Sequence, residues 1–157
     1  MTATRAELDG MMEVMHAAFD PAFGEAWNEG QLASSLLIPG TRFAMIDAAG
    51  VIGPPARKVP TAGFYLARRI VDEEELLLLA VAPEYRRHGF ATRLMEHLLG
   101  NAADHGVRRV FLEMREDNEA GHFYSRLDFQ KVGLRRDYYR GTDDRLRNAV
   151  TMSRNLS

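Results

Sequence analysis

The chain has 157 residues, no cysteine and a formal net charge of −2, with 46% hydrophobic and 27% charged residues. That length suffices for one domain whose core needs no metal or disulfide support, and the absence of thiols excludes a disulfide framework, a thiolate metal site and a cysteine nucleophile. A near-neutral balance with bunched arginines excludes the strongly basic face of a nucleic-acid-coating protein. No apolar run reaches the length of a membrane span, and the first residues lack a basic-then-apolar leader pattern. A cytoplasmic protein with no nucleic-acid and no membrane partner is expected.

Thr4-Arg5-Ala6-Glu7 matches a capping box and predicts a helix to about residue 19. Leu8, Met11, Met12, Met15 and Phe19 recur at helical spacing, so these methionines are core filler. Asp20-Pro21 breaks the helix. Asn28-Glu29-Gly30-Gln31 opens a second one, to about residue 37, which Pro39-Gly40 ends. Residues 42–47 read as a strand closed by Ala48-Ala49-Gly50. Residues 51–60, with three prolines and one glycine, read as a long hairpin connection. Residues 61–70 and 75–81 are two central strands joined by an acidic turn, with Asp72-Glu73-Glu74-Glu75 an acidic block that runs into the second strand. The second is apolar on both faces, as an interior strand is.

The alternation continues with an amphipathic helix over 89–103, which turns Leu94, Met95, Leu98 and Leu99 inward, and a strand over 109–114. A short helix covers 118–126, and strands 129–138 and 148–153 pair across the polar turn 140–147. The expected architecture is α/β (α+β): one domain over residues 1–157, a mixed central sheet with helices on both faces. Of the arginine pairs Arg68-Arg69, Arg86-Arg87, Arg108-Arg109 and Arg135-Arg136, the first and last two read as solvated strand ends.

Arg86-Arg87 lies elsewhere, in the stretch Leu76-Leu77-Leu78-Leu79-Ala80-Val81-Ala82-Pro83-Glu84-Tyr85-Arg86-Arg87-His88-Gly89-Phe90-Ala91-Thr92. Here a buried strand feeds a basic glycine loop at a helix N-terminus. Unpaired N–H groups and the positive dipole end then face one point, which suits an anion. The loop lacks the Lys-Ser/Thr of a P-loop and the glycine spacing of a dinucleotide fingerprint.

Arg86-x-x-Gly89-x-Ala91 resembles the pyrophosphate-binding loop of the GNAT superfamily of N-acetyltransferases, whose pattern is Gln/Arg-x-x-Gly-x-Gly/Ala. Phe111-Leu112-Glu113-Met114-Arg115, Asn118, Phe123-Tyr124, Leu127-Asp128-Phe129 and Val132-Gly133 resemble the same superfamily's later motif, at the family's distance. The resemblance runs from about residue 20 to the end. Ala26-Trp27-Asn28-Glu29-Gly30-Gln31-Leu32, Leu112-Glu113-Met114-Arg115, Phe123-Tyr124 and Arg135-Arg136-Asp137-Tyr138-Tyr139 are similar to the RimI-type branch. That branch consists of bacterial enzymes that acetylate the N-terminal alanine of a small-subunit ribosomal protein.

The resemblance implies direct transfer of acetyl from acetyl-CoA, with no metal, to the N-terminal amine of a protein, ribosomal in that branch. It implies that Arg86, Arg87, His88, Gly89, Phe90, Ala91 and Thr92 hold the pyrophosphate, chiefly through backbone N–H groups. Backbone groups of Leu79, Ala80 and Val81 would pair with the pantetheine arm and polarise the thioester carbonyl, and Asn118 would contact the cofactor. Glu113 interrupts an apolar strand. Its residue pattern alone fits either an ion pair with a nearby arginine or a partly buried base; the resemblance implies the base. Tyr124 is then the acid for the departing thiolate, and Trp27, Tyr138 and Tyr139 border the acceptor peptide. The five histidines (His16, His88, His97, His105 and His122) show no metal-ligand spacing.

There are two departures from the family pattern. Asn118 and Tyr124 are six positions apart where seven is usual, and Leu127-Asp128-Phe129 replaces Leu-Gly-Phe at a left-handed position that Asp tolerates. Acetylation of a small-molecule amine, and acetyl-CoA binding without catalysis, are the alternative readings, because one fold hosts many acceptors.

Overall fold

Thr4 opens the first helix as its capping box predicts. Its hydroxyl accepts from the Glu7 N–H at 3.1 Å, and the Glu7 carboxylate accepts from the Thr4 N–H at 2.8 Å. Helix α1 (Arg5–Ala18) follows, and Asn28 with Gln31 repeats the device for α2 (Glu29–Leu36). The computed structural model describes residues 3–19, 26–56, 58–140 and 144–156; the expected break at Asp20-Pro21 lies outside them, as does part of the expected turn 140–147.

Six strands form one mixed sheet: β1 (Thr41–Asp47), β2 (Thr61–Ile70), β3 (Glu73–Val81), β4 (Arg109–Arg115), β5 (Gln130–Arg140) and β6 (Leu146–Asn155), in the order β1-β2-β3-β4-β6-β5. β3 and β4 run parallel, joined by the crossover helix α3 (Phe90–Asp104); the other neighbours are antiparallel. Helix α4 (Ala120–Arg126) links β4 to β5.

Helices cover both faces. On one, Met11, Met15, Leu32 and Leu36 of α1 and α2 pack on Met45, Phe64, Leu66 and Leu78. On the other, Leu94, Met95 and Leu98 of α3 pack on Tyr65, Val110, Leu112 and Met152. Each such side chain, fully buried, contributes about 1.5–3 kcal/mol. The methionines of α1 are core filler, as their spacing predicts. Gly10 lets α1 sit close on β2: a Cβ there would lie 2.7 Å from Thr61 Oγ1. Among the described residues, no helix is long and apolar enough to cross a membrane.

The acidic block is where sequence and structure differ. Ile70 pairs with Glu73, so the hairpin turn is only Val71-Asp72 and the glutamates are strand residues. Glu74 is 2% exposed and pairs with Arg69 at 2.7 Å, while Arg69 also donates to Asn101 at 2.9 Å. Glu73 meets Arg109 at 2.8 Å. The arginines expected to be solvated thus pair with these acids across neighbouring strands. Residues 51–60 begin as the expected hairpin, with Ile52 bridged to Ile46. Ile52, Gly53 and Pro54 line a groove beside Tyr65 and His97, away from the β3–β4 side of the sheet.

Tyr65 is buried and its hydroxyl lies 2.9 Å from His97 Nδ1. Burial, and secondarily the charge of Glu74, push its phenol up to about 12. The unfolded chain loses this proton near pH 10, so the associated stability is complete below pH 10 and is lost as pH rises to about 12. The loss amounts to roughly 2–3 kcal/mol. Tyr65→Phe should cost about 1 kcal/mol at pH 7 through the missing hydrogen bond and should unfold with a shallower pH dependence above pH 10. Urea unfolding at pH 9 and pH 11 measures both effects.

Candidate active site

The site begins with an irregularity in β3. Leu66 faces Leu78 across the β2–β3 ladder while Ala67 faces Leu76, which leaves Leu77 as the extra residue of a bulge. The parallel ladder to β4 ends at the same place, with Leu76 opposite Leu112. Beyond it β4 continues against β6, and among the described residues no strand pairs with the β4-facing edge of β3 over residues 77–81.

The wedge between the strands holds a cavity of about 180 Å³, lined by Leu77, Leu79, Glu113, Tyr124, Tyr139 and Trp27 among others. A second cavity of about 430 Å³ reaches Ala80, Val81, Arg86 and Ala91. The two share Phe19, Leu79, Asn118, Ala120 and Tyr124, so they form one cleft from the sheet centre to the start of α3.

At the α3 end, β3 leads through a 3-10 turn (Pro83–Tyr85) into residues 86–89. Arg87 and Gly89 have positive φ, 66° and 76°. Gly89 is the N-cap of α3, no side chain caps that end, and a Cβ on Gly89 would meet nothing within 4 Å. The amides of the first turn are therefore left for a ligand, and the dipole favours an anion there.

The loop's side chains serve mainly to hold its shape. His88 Nδ1 lies 3.0 Å from the Tyr85 carbonyl and 2.9 Å from that of Arg86, so it is the protonated, donating nitrogen. Phe90 is buried in the core, which leaves only its backbone to a ligand. Arg86 turns inward and donates to the carbonyls of Val81 and Ala18, both at 3.3 Å. Its side chain ties α1 to the end of β3 and forms a wall of the cleft.

Glu113 and Tyr124 both line the cavity in the wedge. Glu113 is 22% exposed, and its Oε1 accepts from Arg135 at 3.2 Å. Its Oε2 is buried without a hydrogen-bond partner among the described residues. Glu113 thus pairs with Arg135 of β5 rather than with Arg115 of its own strand. Tyr124 is buried on α4, edge-on to Phe123 and Phe129 at 5.2 and 5.7 Å between centroids.

The shortened turn is absorbed locally. Asn118 Oδ1 accepts from the Ala120 N–H at 2.9 Å, α4 starts at Ala120, and Asn118 still lines both cavities. Asp128 adopts φ 65°, the left-handed conformation its place in the motif requires.

Trp27 and Tyr139 reach the cavity in the wedge, but Tyr138 does not. It is 49% exposed and lies under the Arg135 guanidinium, 4.4 Å from ring centroid to Cζ. A register shift in β5 lies between Arg135 and Tyr139, and the two tyrosine rings meet edge-on at 5.1 Å between centroids. Sequence reasoning missed Phe19, Arg135 and Glu75. Phe19 and Arg135 stood in stretches already noted but carried no distinguishing signal, and Glu75 was read as the first residue of the strand 75–81 with nothing to mark its carboxylate.

Glu75 lies opposite Arg68 of β2 and Phe111 of β4. Its carboxyl is held above the ordinary range by burial first and by the charge of Glu113 second, against Arg68 and Arg135. Among the described residues, no group of three or more His, Cys, Asp or Glu could hold a metal ion.

Comparison with known proteins agrees with this geometry. Residues 51–131, more than half of the chain, match the acetyltransferase (GNAT) domain model. The [ribosomal protein bS18]-alanine N-acetyltransferase of Escherichia coli K12 is 36% identical over 97 residues, 61% of this chain and 65% of that protein. The N-alpha-acetyltransferase RimI of Mycobacterium tuberculosis is 43% identical over 76 residues, 48% of this chain and 46% of that one. These matches span less than two thirds of the relatives' own lengths. The crystal structure of the ribosomal-protein-S18-alanine N-acetyltransferase from Escherichia coli superposes with a TM-score of 0.80 at 26% identity, covering 100% of this chain and 92% of that one. The chain belongs to the GNAT acetyltransferase domain family.

Proposed function

We propose that residues 1–157 act as one domain that transfers acetyl from acetyl-CoA to the N-terminal α-amine of a protein, with a ribosomal protein's N-terminal alanine as acceptor. The observation that carries this reading is the single cleft in which Glu113 and Tyr124 line the wedge between β3 and β4 while the uncapped start of α3 stands at the other end. Its acceptor side rests on the relatives named for bS18-alanine acetylation. A ribosomal acceptor places the reaction in the cytoplasm.

The cleft suits acetyl-CoA chemically. The first-turn amides of α3 offer donors and a dipole to the pyrophosphate, and Gly89 leaves room for close approach. The edge of β3 over residues 77–81 offers backbone groups to the amide-bearing arm, much as a further strand would. One of these amides, pointed at the thioester oxygen, stabilises the charge that develops there.

Glu113 then acts as the base. An α-amine titrates near pH 7.7–8.0, so a carboxylate acting directly or through one water suffices to take its proton. The freed amine attacks the thioester carbonyl, the C–N bond forms, the nitrogen releases its second proton to solvent, and the C–S bond breaks. Tyr124 donates its phenolic proton to the departing thiolate and is reprotonated from solvent. Arg135 holds Oε1 of Glu113 at 3.2 Å and fixes the carboxylate in the wall of the wedge. Trp27 and Tyr139 border the acceptor's entry.

Turnover of acetyl-CoA against a panel tests this function. The panel holds peptides with free N-terminal Ala, Ser or Met, the same peptides N-blocked but carrying lysine, and small amines. Activity confined to free N-terminal Ala peptides is expected. Activity on small amines alone overturns the acceptor, and cofactor binding without turnover on any amine overturns the enzymatic reading.

Glu113→Gln should lower kcat by about 10²-fold or more, most strongly at low pH. Tyr124→Phe should lower kcat with little change in the affinity for acetyl-CoA. Wild-type turnover by either variant across pH 6–9 contradicts its assignment. Gly89→Ala, strained at φ 76°, should cost about 1 kcal/mol of stability and raise the dissociation constant for coenzyme A, read by calorimetry.

A further inference from the structure

The face of the sheet that carries Glu113 also carries a row of charges from four strands. Arg68 of β2 is opposite Glu75 of β3, and Glu75 is opposite Phe111 of β4, two residues before Glu113 on the same face. Arg135 of β5 closes the row with its contact to Glu113. Ordinary strand geometry places the Glu75 and Glu113 Cβ positions about 8 Å apart, within reach of two glutamate side chains or of one bridging water.

The outer members of this row differ in how they are held. Arg68 is committed elsewhere, donating to Ser35 at 2.7 Å and to Thr41 at 3.2 Å. The Glu75 side chain is half-buried, and its carboxylate makes no hydrogen bond or ion pair with any described residue. A half-buried carboxylate normally finds a donor. This one sits instead beside a second carboxylate whose Oε2 is also without a partner.

We propose that Glu75 is a further residue of the reaction, the second half of a carboxylate pair with Glu113 that takes up and shares the proton lost by the acceptor's α-ammonium. The inference rests on the reading of Glu113 as base. The N–H bond of the ammonium breaks, the proton goes to Glu113, and Glu75 accepts it in a shared hydrogen bond before it leaves to solvent. The pair goes from two negative charges to one while the amine becomes neutral. Glu75 does not touch the substrate, and so is a positioning residue acting through Glu113. The groups facing it are Glu113, Arg68 and Arg135, with the uncharged Ser35 from α2. Burial and the charge of Glu113 both favour its protonated form, which suits an acceptor of a transient proton. Because the two carboxylates share the proton, the acid limb of the rate profile should depend on both residues.

The test is the pH dependence of kcat/KM for a free N-terminal peptide in the wild type, Glu75→Gln, Glu113→Gln and the double variant. Glu75→Gln should lower kcat/KM about threefold to tenfold at pH 7 and move the acid limb about half a unit or more toward acid, because the like charge is gone. KM for acetyl-CoA should not change. The double variant should be no slower than Glu113→Gln alone, as befits residues acting as a unit. Glu75→Asp, which keeps the charge, should keep the wild-type limb, and it serves as the probe should Glu75→Gln fail to fold. A Glu75→Gln profile that superimposes on the wild type, or losses that add in full, overturns the pair while Glu113 stands as base. Wild-type turnover in Glu113→Gln overturns the reading of Glu113 itself.

Discussion

The site depends on one break in the sheet. A parallel pair of strands would ordinarily stay hydrogen-bonded along its length, leaving no room between them and no free backbone groups. The bulge at Leu77 ends that pairing after Leu76 and Leu112, and the added twist of a bulged strand turns the rest of β3 away. It also changes which face the later residues occupy: Leu76 packs with the α3 core, while Leu78 and Ala80 pack under α1. The same irregularity therefore opens the cleft and keeps the sheet sealed on both sides of it.

Charge placement follows from the same topology. Ion pairs anchor the closed end of the wedge, where Glu73 meets Arg109 and Glu74 meets Arg69. The buried Glu74 pair is costly to desolvate, and removing one partner would strand the other, so it holds the register of β2 and β3 firmly. At the open end Arg115 and Asp117 pair, and Arg147 lies 3.6 Å from the same carboxylate. That cluster joins β4 to β6 where β3 no longer supports it. Between these ends lie the two carboxylates that satisfy each other least, Glu75 and Glu113.

Much of the fold was legible because local signals and global packing agreed. Both capping boxes, the methionine spacing of α1 and the apolar β3 each have one satisfactory structural reading. The extent of the acidic block was not legible. Acids in a row between two strands look like a turn, and only the cross-strand arginines show that Glu73 and Glu74 belong to β3 with Glu75. The strand–glycine–helix junction after β3 was legible because glycine and helix start adjoin in sequence. That Arg86 would turn inward could not be read there, since its acceptors are the carbonyls of Val81 and Ala18, the latter 68 residues away. Tyr138 looked equivalent to Tyr139; the register shift in β5 between Arg135 and Tyr139 leaves no mark in composition.

The missing residue between Asn118 and Tyr124 shows how such a site tolerates change. A deletion within a strand would reverse every side chain beyond it. At the entry to a short helix it costs only the first turn. Asn118 takes over as a local acceptor for the Ala120 amide, and α4 begins two residues later than its sequence pattern suggests. Tyr124 still lines the cleft because its position is set from the other side, by Phe129 and by the Leu127 and Phe129 amides that both return to the Tyr124 carbonyl. Asp128, held at positive φ, makes that tight return possible. The tyrosine proposed as the acid is thus anchored to the helix's C-terminal end, so its N-terminal end is free to vary.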